Sequence, residues 1–417
     1  MSDARLIRTT GLPGAIVLGL GSIVGTGAFV SLGFGYGLAG DGLLIAILLA
    51  AFVALCNGLS SAQLAAVHPV SGGTYEYGYK FLNHDLGFSA GWLFVCAKSA
   101  SAAAAALASA WLLNHYLGWS EGAVIALAVG LLAAITALVL AGLRRSNQVN
   151  ALMVLLAIAS LLVFVVWSAQ QPQEAMSMPV TGGGNSSWRD LLAAAALLFV
   201  AYTGYGRIAT MGEEVQQPRR TIPRAIIATM IVVTLLYGAV GWAIVHLAPA
   251  GIGEDFILTQ LIPAGQVHNV VFAGAIIAML GVTLNLVLGV SRVILAMARR
   301  NDLPLRWAKL NVGNTSAPAA TLVTAAIMMV IALFGGIKLA WTFSAFTVLI
   351  YYSITNLAAL KVAPEQRFIA RFWSVLGLIG CVSLALMVEL TLIGVGVALL
   401  LVGLIWHRYR YQKLLER

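Results

Sequence analysis

Gly19-Leu20-Gly21-Ser22-Ile23-Val24-Gly25-Thr26-Gly27-Ala28-Phe29 places four glycines in the middle of a long apolar segment. Gly21 and Gly25 by themselves suit close helix packing through small residues. Gly25-Thr26-Gly27 goes further, because it brackets a hydroxyl with two helix breakers, which packing does not require. A second such stretch, Phe199-Val200-Ala201-Tyr202-Thr203-Gly204-Tyr205-Gly206-Arg207, lies in another apolar segment. Both are expected to interrupt a helix, leaving N–H groups and carbonyls turned toward a cavity. Gly19 and Gly21 also begin a dinucleotide fingerprint. No strand precedes them and no βαβ pattern with an acid follows, which argues against that reading.

The surroundings of both stretches fix the solvent. Of 417 residues, 60% are hydrophobic and 9% charged, against about 25% charged in a soluble globular chain. So few charges cannot cover a soluble body of this size, so lipid must be the solvent for most of the surface. Backbone groups in hydrocarbon are satisfied only in helices or closed barrels. Runs such as 225–247 and 322–334 are continuously apolar and do not alternate, which excludes a barrel. The expected fold is an all-α polytopic membrane protein. About twelve transmembrane helices are expected, at roughly 12–36, 43–67, 87–115, 121–143, 148–169, 189–211, 224–248, 267–298, 318–335, 339–361, 369–388 and 390–407.

Charge sets the expected orientation. With the N-terminus inside, nineteen basic residues fall on inner segments, among them Arg5, Arg8, Lys80, Arg144, Arg145, Arg299, Arg300, Arg408, Lys413 and Arg417. Only Arg189 and Lys338 fall outside, where the acids Asp41, Glu121, Glu174, Asp190, Glu254 and Asp255 gather. This positive-inside bias places both termini in the cytoplasm. It also accounts for the net charge of +9 without a nucleic-acid partner. The first segment is too long and glycine-rich for a cleaved signal peptide. Residues 170–188 read as a polar outer linker. Cys56, Cys96 and Cys381 are far apart in apolar stretches and read as free core thiols, with no metal spacing.

The two glycine-rich stretches lie five spans apart. An odd number of spans per repeat forces the second copy to run upside down. The expected organisation is therefore an inverted repeat, 1–169 and 170–361, followed by two helices in 362–417. An amino acid zwitterion suits paired breaks. Its carboxylate meets N–H groups at a half-helix N-terminus and its ammonium meets carbonyls at a half-helix C-terminus.

Four motifs carry a family resemblance over nearly the whole chain. They are residues 21–29, residues 59–77 (Leu59 through Ser71-Gly72-Gly73 to Tyr77), Phe199 to Pro223 with Glu213-Glu214, and Ser291 to Pro304. In this order and spacing they resemble the amino acid–polyamine–organocation (APC) superfamily of permeases, which implies the LeuT-type five-plus-five fold. The resemblance would place a substrate carboxylate on Thr26 and the amides of Gly25 and Gly27. It would place the ammonium on the carbonyls of Ile23, Val200 and Thr203, with Gly204 permitting the second break. Phe199 and Tyr202 become candidate gate or wall aromatics, with ordinary helix packing as the alternative. Glu213, Glu214, Arg219 and Arg220 read as a solvated loop that fixes topology.

Three bases fall inside spans, where charge is costly and needs a reason. Arg292 is expected to snorkel or pair. Arg207 is a candidate to bond freed carbonyls or to line an inner vestibule. Some similar permeases carry a helix 5 lysine at a sodium position. The corresponding place here is near Ala157, so Lys98 of helix 3 becomes the candidate coupling group, or else a hydrogen-bond partner of a broken helix. H+ and Na+ are the candidate coupling ions, and exchange or export without one stays open. The expected cargo is a neutral or small amino acid, because the surroundings of Val200 and Thr203 carry no acid. Gly206, standing where some similar permeases have a glutamate, counts against a cationic one. An intramembrane enzyme would need a nucleophile with its base, or clustered metal ligands, and the six histidines show no such spacing. No catalytic residue, metal or cofactor is expected. A transporter-like sensor is the remaining class, and the cell (inner) membrane is the expected location.

Overall fold

The computed structural model describes residues 8–172, 187–248, 256–313, 315–334 and 336–415. Arg5, Glu174, Glu254, Asp255, Arg417 and most of the expected 170–188 linker lie outside these residues, as do the side chains of Arg144, Arg145 and Lys413.

The described residues are nearly all helical and form only two isolated β-bridges. In order the helices are α1 (Leu12–Gly21), α2 (Leu32–Ala39), α3 (Leu43–Val67), α4 (Thr74–Phe81), α5 (His84–Leu117), α6 (Glu121–Leu140), α7 (Leu143–Ser168) and α8 (Trp188–Tyr202). They continue with α9 (Gly206–Ala209), α10 (Pro218–Leu247), α11 (Gln266–Arg299), α12 (Pro318–Phe334), α13 (Ile337–Leu360), α14 (Arg371–Ala385) and α15 (Leu390–Leu415). α1 and α2 together make one interrupted crossing, and α8 and α9 another. With α4 as a short connector and each interrupted pair taken as one, the described residues form twelve apolar helical segments, the first and sixth interrupted. Among the described residues, nine helices are long and apolar enough to cross a membrane, and the others are shorter.

Local chemistry sets the ends. Pro13 opens α1, where its missing N–H costs nothing. Asn83 caps α5 by accepting from Leu86 N at 2.8 Å, and Gly118 ends it in the left-handed region at φ 62°. Ser187 and Asp190 form a reciprocal capping box at α8.

Burial separates centre from rim. The apolar window of α5 is 94% buried, that of α8–α9 83%, and that of α15 only 22%. The core therefore runs along α5, α8, α11 and α13. Large apolar side chains such as Leu155, Leu235 and Leu390 stay exposed on the rim, as a lipid-facing surface requires.

Basic residues converge at one end of the bundle. There Arg300 pairs with Glu76 at 2.5 Å, Arg299 with Glu213 at 2.9 Å and Arg408 with Asp85 at 2.9 Å. Tyr75 and Tyr79 both donate to Asp302 Oδ2, at 2.6 and 2.7 Å.

Candidate functional site between two interrupted helices

The first interruption begins where α1 stops at Gly21. Residues 22–25 form a turn, and a π-helical stretch (Gly27–Ser31) leads into α2. Ser22 Oγ donates back to Leu18 O at 2.8 Å and helps close α1. The second interruption is a 3-10 turn, Thr203–Tyr205, between α8 and α9. The two breaks touch. A Cβ on Gly204 would collide with Ile23 and with the Ser22 carbonyl oxygen, and would lie 2.5 Å from that carbonyl's carbon. A Cβ on Gly27 would lie 2.9 Å from Ala201 Cβ. Only glycine allows this approach of one backbone to the other. Tyr237 of α10 spans the junction, because its hydroxyl faces both Ile23 O at 2.9 Å and Ala201 O at 3.2 Å.

A cavity of about 20 Å³ sits between the breaks. Ser22, Ile23, Thr26 and Gly27 line it from the first break, and Val200, Ala201 and Thr203 from the second. Lys98 and Ser101 of α5, Val282 and Leu286 of α11 and Trp341 of α13 complete it. Such a volume holds about one water, so this is a closed arrangement. Thr26 is 1% exposed, and its hydroxyl has no hydrogen-bond partner in the protein. Lys98 Nζ donates to Thr203 Oγ1 at 2.5 Å, and that hydroxyl in turn donates to Val200 O at 2.7 Å.

Six of the residues singled out from the sequence thus meet at one cavity: Ile23, Thr26, Gly27, Lys98, Val200 and Thr203. The others lie elsewhere. Gly25 packs against α11, where a Cβ would come 2.8 Å from Ala278 O. Gly204 fills the contact between the breaks. Phe199 and Tyr202 are fully buried away from the cavity, edge-on to Tyr352 at 5.8 Å and Tyr237 at 5.1 Å. In this conformation both are packing groups and neither is a cavity wall.

Arg207 points away from the break carbonyls, toward the basic end. Its Nη1 donates weakly to Thr210 Oγ1 at 3.4 Å, and its Nη2 lies 4.0 Å from Glu214 Oε2. Glu214 corrects the expectation of a solvated loop. Its side chain is fully buried and takes a 2.6 Å hydrogen bond from Arg292 Nε. Arg292 therefore pairs and does not snorkel. Arg219 and Arg220 are exposed, as expected, but they sit in the first turn of α10 and not in a loop. On α7, Ala157 is buried. The polar group this helix offers α1 is Asn150, which bonds Val17 O at 3.4 Å and meets Asn285 of α11.

The model of the family described as "Amino acid permease" matches residues 14–405. The chain belongs to that family. An uncharacterized transporter of Mycobacterium tuberculosis is 39% identical over 409 residues, covering 96% of this chain and 90% of the relative. The branched-chain amino acid permease of Bacillus subtilis is 29% identical over 348 residues, 76% of this chain and 73% of the relative. The serine/threonine exchanger of the same species is 27% identical over 316 residues, 72% and 70%. This family member is accordingly a multi-pass membrane transporter and not an enzyme, and the family supports amino acids as the cargo class.

Proposed function

We propose that this permease carries a neutral or small amino acid by alternating access, binding it between the α1–α2 and α8–α9 breaks. One observation carries the reading: Thr26, whose buried hydroxyl has no partner, lines a cavity bounded by both breaks. A buried hydroxyl left unpaired costs about 1–3 kcal/mol, and a ligand carboxylate would satisfy it. The cavity is too small for an amino acid as it stands, so binding requires α1 and α8 to part from α5 and α11. The two interrupted crossings would then rock as one bundle about the central site, against the helices that include α5 and α11. Both termini would lie in the cytoplasm of a cell whose inner or plasma membrane holds the protein. H+ or Na+ would supply coupling if uptake is active, and Lys98 is the group to examine for it.

The test is uptake of radiolabelled leucine, serine, threonine and alanine into proteoliposomes, with and without Na+ and pH gradients. Wild-type protein should accumulate or exchange at least one of them. Thr26→Val should lose at least tenfold of the rate, and Thr26→Ser should retain most of it. Wild-type activity in Thr26→Val would remove the carboxylate role.

A further inference from the structure

The break carbonyls that would receive a substrate ammonium are already engaged. A carbonyl oxygen has two lone pairs to offer. Val200 O takes the Thr203 N–H and, at 2.7 Å, the Thr203 hydroxyl. Thr203 O takes the Tyr352 hydroxyl at 3.2 Å and faces Lys98 Nζ at 3.5 Å. Ile23 O takes Tyr237 at 2.9 Å. Across the same cavity the Thr26 hydroxyl takes nothing. The Val200 and Thr203 carbonyls are thus filled and the Ile23 carbonyl shares one donor with Ala201 O, whereas the Thr26 hydroxyl has no partner.

Charge sharpens the asymmetry. Lys98 is 4% exposed. The ion pairs among the described residues join other groups and leave Lys98 without a carboxylate. A lysine ammonium brings three donors and needs acceptors for them. Here Thr203 supplies two, the hydroxyl at 2.5 Å and the carbonyl at 3.5 Å. An amino acid's α-ammonium is the same chemical group with the same needs.

We propose that Lys98 is a tethered stand-in for the substrate's ammonium, and that an amino acid binds by displacing it from Thr203. This rests on the reading of the two breaks as the substrate site. Lys98 is then a specificity-determining residue. A ligand must bring an ammonium able to replace Nζ, and a carboxylic acid lacking one leaves the lysine in place. Apparent affinity is reduced by the fraction of time the lysine holds the station.

The experiment compares purified wild-type protein with Lys98→Met and Lys98→Arg. Each of the twenty amino acids is screened by thermal stabilisation. Calorimetry then measures the strongest binder and its 2-hydroxy acid analogue. Lys98→Met should bind the amino acid about tenfold tighter than wild type if the lysine holds the station about nine-tenths of the time. Lys98→Arg should show no gain, and the hydroxy acid should gain nothing from either variant. Unchanged or weaker amino acid binding by Lys98→Met overturns the proposal, and so does an equal gain for the hydroxy acid. Absence of stabilisation of any of the three proteins by any amino acid overturns the substrate-site reading itself. Lys98→Gln carries the same expectation as Lys98→Met. Loss of folding in both shows a structural tie and overturns the stand-in role.

Discussion

Glu214 Oε1 accepts a 2.6 Å hydrogen bond from Arg292 Nε, and both side chains are buried. The same residue's carbonyl accepts from Thr9 N at 3.0 Å and Thr10 N at 3.1 Å. Glu214 thus ties the segment entering α1 and the turn after α9 to the far part of α11. The tie lies between the cavity and the basic end of the bundle, where any opening toward that end must loosen it.

Removing this carboxylate should be costly. Glu214→Gln leaves Arg292 and Arg207 buried without their counter-charge, and breaking a buried pair this way typically costs about 3–5 kcal/mol. Thermal unfolding in detergent should show a large fall in Tm. Adding Arg292→Met should recover part of it, because an apolar chain of similar length needs no partner. A shift no larger than that of an exposed substitution such as Arg219→Gln would refute the role of this tie.

The same pair sets a pH dependence. Burial alone would push the Glu214 carboxyl up, but Arg292 and then Arg207 outweigh it and hold the group below the usual carboxylate range. A depressed carboxylate stabilises the fold above its unfolded value, about 4.3 for Glu. That stabilisation is lost as pH falls through the lower folded value. The Tm gap between wild type and Glu214→Gln should stay constant from pH 7 to about 5 and shrink below about 4.3. A gap that already closes between pH 7 and 6 would contradict the assignment.

Gly204 and Gly238 predict opposite responses to the same change. Alanine at Gly204 drives a methyl into the Ser22 carbonyl, while a Cβ on Gly238 meets nothing within 4 Å. Overpacking typically costs about 1–3 kcal/mol, and at this contact it also pushes the two breaks apart. Gly204→Ala should therefore lower Tm and abolish uptake. Gly238→Ala, inside α10, should be neutral or gain up to about 1 kcal/mol from helix propensity. Equal behaviour of the two variants would exclude backbone contact as the reason for glycine at 204.

Legibility followed the range of the forces involved. The crossings could be read because lipid imposes about 20 apolar residues on each, and the breaks because glycine acts on its own backbone. Thr26 and Thr203 were within reach because they sit inside those breaks. For Phe199 and Tyr202 proximity in sequence leaves a cavity wall and helix packing both open, and their position on α8 puts them in the packing around Tyr352 and Tyr237. Glu214 looked solvated because its neighbours are charged, and only the return of the loop against α11 buries it. Trp341 and Tyr352 carried no local signal, since an aromatic in an apolar helix reads as core until its facing helix is known.

Tyr237 is the sharpest case of such a residue, and its removal is the most direct probe of the junction. Its one hydroxyl faces the Ile23 and Ala201 carbonyls across a gap between two different crossings. Phenylalanine keeps the ring and its edge-on contact with Tyr202 but leaves those carbonyls short of a donor. The expected loss of stability is about 1–3 kcal/mol. Because the carbonyls would be freed toward the cavity, uptake should change more than packing alone explains. Tyr237→Phe should alter the substrate concentration for half-maximal uptake by several-fold, whereas Tyr237→Leu should also lower Tm further through the lost ring. Wild-type uptake kinetics in Tyr237→Phe, with an unchanged Tm, would mean that the hydroxyl does not hold the two breaks in register.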